Sequence, residues 1–238
     1  PRVRTDGAID GTPNKRPCAQ GVKIRVEPSM KFYDVWGTDQ TFPHMAVPWT
    51  WAFSTPFSWT KQIASHFGGT RQGMAVSWPG HITDVGGIRN QLQHVIDIVP
   101  KILEATGIPA PESVNGIKQA PIEGTSFAYT FNAKNKDEPS RHKTQYFEMF
   151  GDHAIYHEGW IASTKVVRGP WIMASAGNPD PLNNVTWELY DLRKDWTQFD
   201  DIAAKNPDKV KEMEALFLTE AKKYQVLPLD TSVATRLV

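Results

Sequence analysis

The stretch STPFSWTKQIASHFGGTR, residues 54–71, sets one lysine, Lys61, behind Phe57 and Trp59 and just ahead of the glycine pair Gly68-Gly69. A lysine ammonium is a compact cation with three donors. In a partly dry setting its charge acts on an anionic ester oxygen far more strongly than it does in water. The chemistry on offer is therefore electrostatic stabilisation of an anion. The competing reading is a solvated lysine on a short helix, because lysines are mostly exposed.

The other chemistry-bearing residues offer less. His153 and His157 in DHAIYHE have i,i+4 spacing, which on a helix could hold a metal. The surrounding strand-forming residues instead place both on one sheet face, and the sequence lacks HExxH. His66 and His94 sit beside apolar residues and read as satisfied core or groove histidines. EGTSFA has no GxSxG elbow, and neither GxxxxGK[ST] nor GxGxxG occurs. The one cysteine, Cys18 in RPCAQG, cannot form an intrachain disulfide and has no partner for zinc or CxxC redox chemistry. No metal site is predicted within the chain.

The elements that would position Lys61 come from a chain of 238 residues, 40% hydrophobic, with 26 basic and 26 acidic residues. That balance provides no global field for nucleic acid or an anionic membrane. No apolar run is long enough for a transmembrane helix, and the N-terminus has no signal-peptide h-region. A soluble chain of the periplasm or cytoplasm is expected, the two undistinguished. PRVRTDGAIDGTPNKRP lacks an initiator Met and reads as the start of a processed or truncated piece.

Residues 1–30, rich in Gly, Pro, Arg and Lys, predict an irregular leader. Residues 31–60, aromatic and proline-punctuated, predict a packed loop that could wall a site. GMAVSWPG, residues 73–80, predicts a buried strand ended by Pro-Gly. GIRNQLQHVIDIVPKILEATGI predicts a helix, with Pro100 kinking it or starting a new turn and Gly107 stopping it. SFAYTF, TQYFEMF, AIYHEGWIASTKVV and WELYDL are rich in aromatic and β-branched residues and predict a small antiparallel sheet. Asn206-Pro207 predicts a helix start, followed by the stripe Val210, Met213, Leu216, Phe217, Ala221 and Tyr224, which should pack on that sheet.

HMAVPWTWAFSTPFSWTKQIASHFGGTRQGMAVSWPGHI, HVIDIVPKILEATGIPAP, VNGIKQAPIEGTSFAYTF and WELYDLRKDWTQFDDIAAKNPDKVKEMEALF, taken in order, resemble the arylsulfatases of the alkaline-phosphatase superfamily, more narrowly the large bacterial ones. The resemblance spans about residues 42–238. It implies an α/β fold: an irregular leader over 1–41, the C-terminal part of an alkaline-phosphatase-like sulfatase domain over 42–125, and a small antiparallel sheet with a packed C-terminal helix over 126–238. It implies sulfate-ester hydrolysis by a formylglycine nucleophile with a calcium ion drawing charge from the sulfate oxygens. Lys61 matches the family lysine that contacts the sulfate, and His44 lies in a substrate-proximal stretch.

The nucleophile motif and the calcium-binding carboxylates have no match in this chain, so the formylglycine and the calcium ligands are expected in a missing N-terminal sulfatase half, with a small-molecule sulfate ester as substrate. Two alternatives stay open. One is a phosphoester or phosphonate hydrolase of the same superfamily. The other is a non-catalytic binding module in which Trp49, Trp51 and Trp59 stack on sugars or aromatics.

Overall fold

The computed structural model describes residues 30–39, 47–169 and 177–232. His44, Cys18 and most of the expected leader lie outside them. The described residues fall into two compact units: those up to 71, those of 146–155 and those from 159 on in one, and 72–145 with 156–158 in the other.

The first unit is organised by an antiparallel sheet of four strands in the order β3-β4-β5-β6: Thr144–Met149, Asp152–His157, Trp160–Thr164 and Trp187–Asp191. Strands β3 to β5 are joined by two-residue turns, Phe150-Gly151 and Glu158-Gly159. All four turn residues have positive φ (55°, 88°, 45° and 89°). That backbone matches the right-handed strand twist, and glycine supplies half of it at no steric cost. β5 and β6 pair with Ile161 opposite Tyr190 and Ala162 opposite Leu189.

Side chains alternate across the strands. One face carries Ile155, Ala162 and Leu189 and buries Met213, Phe217 and Ala221 of the helix α4, Pro207–Lys223. The other face carries Ala154, Ile161 and Tyr190 and buries Phe67, with Phe57 packed beside it. The sheet is thus covered by the C-terminal helix on one side and by the Lys61 stretch on the other. The helix starts at Pro207, as the sequence predicts. Asn206 makes no side-chain cap; its Nδ2 donates to Ile202 O at 2.9 Å instead.

The Lys61 stretch follows helix α1, Val47–Ser54, and ends in the one-turn helix α2, Phe67–Thr70. Helix α1 corrects the expectation of a packed loop. Trp49 and Phe53 share one face and Trp51 lies on the opposite one, so no 3.6-residue apolar period shows in the sequence. They also point outward: Trp49 is 65% and Phe53 75% exposed.

The second unit has less regular structure. Helix α3, Ile98–Thr106, ends at Gly107, which has φ 67° and the left-handed conformation that terminates helices. Pro100 sits in its first turn, where a missing N–H costs nothing. Residues 87–94 do not extend it. Arg89 is tied to Asp84 Oδ2 at 2.7 Å and Thr130 O at 2.7 Å, and Gln91 Nε2 reaches the carbonyls of Asn135, Lys136 and Glu138. These bonds hold the segment in a conformation no helix shares.

The expected buried strand over 73–80 is also absent. Met74 and Val76 are exposed, and the run has no ladder partner among the described residues. SFAYTF forms a 3-10 turn, Ala128–Phe131, rather than a strand. There Ser126 Oγ accepts from Ala128 N at 3.2 Å and Thr130 Oγ1 donates to Phe127 O at 2.8 Å, local bonds that compete with a ladder. The hairpin β1, Ser113–Val114, with β2, Ile117–Lys118, completes the unit.

Candidate functional site

Lys61 is exposed, while Thr60 before it and Ile63 to Phe67 after it are buried. Lys61 is the one exposed residue between positions 57 and 70. Trp59 and Gln62 flank the lysine with φ 69° and 81°. A left-handed backbone is rare for non-glycine residues, and for a bulky one such as tryptophan it persists only where the surroundings over-determine it.

The surroundings do so. Gly68 N donates to Ser58 O at 2.9 Å and Ile63 N to Thr60 O at 3.2 Å. A Cβ on Gly68 would collide with the carbonyl oxygens of Ser58 and Trp59, and one on Gly69 with those of Thr60 and Ile63. The glycine pair therefore serves close backbone packing beneath Lys61.

A polar network fastens this loop to the sheet. Gln198, 3% exposed, accepts from Phe67 N at 2.7 Å and donates to Ser163 Oγ at 3.0 Å. His66, buried, places Nε2 3.2 Å from Glu188 Oε2 and Nδ1 2.9 Å from Ser65 Oγ. Arg71 closes the end of the loop. Its guanidinium lies 4.9 Å from the Phe57 ring, 5.4 Å from Phe67 and 5.5 Å from Trp196, and Nη1 donates to Trp196 O at 3.2 Å. Burial lowers its pKa. No spacing rule links Gln198 or Glu188 to residues 65–67, and only the fold brings them together. The description of His66 as a satisfied buried histidine agrees with these contacts.

The second unit holds a different cluster. Asp97, 1% exposed, accepts from His94 N at 2.7 Å, from Thr125 N at 2.7 Å and from His142 Nδ1 at 2.9 Å. His142 Nε2 faces Thr144 O at 3.0 Å. Both partners of the imidazole only accept, so both its nitrogens carry hydrogen and the ring is a cation. The Asp97 hydrogen bond is the main cause raising the His142 pKa. Burial pushes the Asp97 carboxyl up, but the bonds from His142, Thr125 and His94 together bring it below its ordinary value. With Nε2 spent on a carbonyl, His142 has no free lone pair for base catalysis. The cluster is a structural clamp. His94 accepts from Ile96 N through Nδ1 at 3.5 Å, and its pKa is lowered chiefly by burial.

His153 and His157 serve separate ends. His153 is fully buried against Phe217, whereas His157 Nδ1 lies 2.8 Å from Thr144 Oγ1. Asp152, beside them, is buried, and burial above all pushes its carboxyl up to about 7, with Glu148 adding to the rise and Arg168 opposing it. Of the two predicted site residues, Lys61 is thus presented on a fastened loop and His44 lies outside the described residues.

No protein-family model matches the chain. Three solved structures show partial backbone overlap. The BT33336S-sulf protein of Bacteroides thetaiotaomicron, from the metabolism of multiple glycosaminoglycans, is 20% identical with a TM-score of 0.39 over 56% of this chain and 26% of its own. BT4656, solved with its substrate D-glucosamine-2-N,6-O-disulfate, is 17% identical with a TM-score of 0.35 over 56% of this chain and 24% of its own. Ps i-CgsB is 19% identical with a TM-score of 0.42 over 67% of this chain and 31% of its own. The overlap thus takes in under a third of each of those chains.

Proposed function

We propose that this chain contributes to sulfate-ester hydrolysis of the arylsulfatase kind, with Lys61 as the residue that meets the sulfate. The observation that carries the reading is the presentation of Lys61: an exposed cation between two left-handed residues, on a loop whose floor is buried and close-packed. A lysine that only solvates a surface needs none of that. The ordered words shared with the arylsulfatases, in which Lys61 holds the place of the sulfate-contacting lysine, give this cation its substrate class.

The lysine's part in the reaction is electrostatic. Its ammonium would oppose the charge growing on the sulfate oxygens as the ester bond breaks. Calcium, implied by the resemblance, takes six to eight oxygen ligands. The described residues gather no group of three or more His, Cys, Asp or Glu side chains able to hold it, and no step runs through it here. Nor does one run through a formylglycine, since the nucleophile motif has no match in this chain. The alkaline-phosphatase-like domain over 42–125 and the substrate role of His44 belong to the same proposal.

The test is steady-state kinetics on an aryl sulfate, using the enzyme that carries this chain with its nucleophile segment. Lys61→Ala is expected to lower kcat/KM about 100- to 1,000-fold, the scale of removing one oxyanion donor. Its unfolding curve should not move, and Lys61→Arg should restore activity only in part. Full turnover in Lys61→Ala with an unchanged melting curve overturns the assignment.

The exposed Trp49 and Trp51 of α1 favour a second reading, a module that stacks on sugars or aromatics. Trp49→Ala would weaken sugar binding under that reading and leave the Lys61 effect untouched.

A further inference from the structure

On the helix face of the sheet, away from Lys61, Nε2 of His153 and Nε1 of Trp187 are buried and have no partner among the described residues. Nδ1 of His153 lies 2.7 Å from Gly151 O, and a carbonyl only accepts, so Nδ1 carries the hydrogen. Burial pushes the His153 pKa down to about 4, so the ring is neutral near pH 7 and Nε2 is a bare acceptor. The indole Nε1–H of Trp187 is a bare donor. The two rings meet edge to face, their centroids 5.0 Å apart, and both pack on Phe217. A buried donor or acceptor left unpaired is costly, so such pairs are rare without a bridging group.

Space lies beside the indole of Trp187. A cavity of about 100 Å³ is lined by Trp187, Phe217, Leu182, Leu218, Asn183 and Glu214. Four of these six side chains are apolar. No cation is among them, and Glu214 repels anions. The volume is several times what one water requires and of the order that admits a small ring.

We propose that this cavity is a binding site for a small, neutral, largely apolar molecule with one hydroxyl group, of about the size of phenol. Its oxygen accepts from Trp187 Nε1–H, its ring lies on Phe217 between Leu182 and Leu218, and its hydroxyl hydrogen faces the acceptors of the lining, Asn183 and Glu214. The site differs in chemistry from the Lys61 loop: it has no cation and selects against charge. It does not depend on the sulfatase reading.

The experiment is a titration of the full chain with phenol and, separately, with benzene, followed by NMR of the Trp187 indole N–H and the Leu182 and Leu218 methyls. The indole peak is assigned by its disappearance in Trp187→Phe, a variant that keeps an aromatic ring in place. Saturable shifts of all three groups are expected with phenol. Trp187→Phe should weaken phenol about two- to tenfold, the net worth of one hydrogen bond, and leave benzene unchanged, read on the methyls. Leu218→Phe should fill the cavity and abolish both. Three results overturn the proposal: no saturable shift at the solubility limit, equal loss of phenol and benzene in Trp187→Phe, or saturable binding that survives Leu218→Phe. The first of these leaves the cavity to water alone.

Discussion

The two faces of the four-stranded sheet are covered by different means. On the helix face Ile155, Ala162 and Leu189 meet Met213, Phe217 and Ala221, and the contact is almost wholly apolar. On the loop face a smaller apolar patch is supplemented by Gln198 and by the His66–Glu188 pair, which anchor a loop with two left-handed residues. The apolar face is tolerant in direction and strong in sum, since burial is roughly proportional to area. The polar face is weaker per contact but directional, and direction is what a presented lysine requires.

The difference can be broken from either side. The largest effect is expected for Phe217→Ala, which empties a fully buried site stacked on Tyr146 and His153. A loss of about 3–5 kcal/mol is expected in denaturant unfolding. A loss below about 1 kcal/mol would show that the helix face is not the main apolar support. Gln198→Ala should cost less, about 1–3 kcal/mol, because it strands the buried Phe67 N–H. Its mark is local: amide exchange at 63–69 should quicken while the amides of α4 keep their protection. Uniform quickening would mean that the loop and the helix open together.

Asp152→Asn sharpens the comparison through pH. The folded pKa, near 7, lies above the unfolded value, so the stability tied to the protonated form is present below about pH 4 and lost as pH rises through 7. Asparagine stays neutral, so the variant should be more stable at pH 8 by about 1–2 kcal/mol, below the ceiling near 4 kcal/mol that three pKa units set. At about pH 3, below the unfolded value, the gain should be close to nil. A gain independent of pH would assign it to packing rather than charge.

What the sequence announces follows the same division. The stripe from Val210 to Ala221 and the strands of 144–164 and 187–191 bury by periodicity, and periodicity is visible in one dimension. The Lys61 loop is fastened by Gln198 and Glu188, residues more than a hundred positions away that no local pattern connects. The glycine pair stands out in the sequence, and the backbone of residues 58–63 packed against it gives the cause. SFAYTF had strand composition, yet Ser126 and Thr130 spend their hydroxyls on local backbone. The apolar run at 73–80 had the composition of a buried strand but finds no partner among the described residues. Helix α1 is hidden because its tryptophans fall on opposite faces and erase the helical period.

Asp97 has a consequence for the order in which its unit is built. Its carboxylate joins His94 to Thr125, 28 positions from Asp97, and to His142, 45 positions away. Both spans must close before the clamp exists, and closing them carries an entropy penalty met in advance of any gain. The clamp therefore belongs to the late part of folding, and its removal should speed unfolding more than it slows refolding. It acts as a cross-link in a chain whose single cysteine cannot form one internally. The Asp97 contribution fades as pH falls through its lowered pKa, and the His142 contribution as pH rises through its raised one. Both are complete between about pH 4 and 6.5. A change in proton concentration opens this cross-link; a reductant does not.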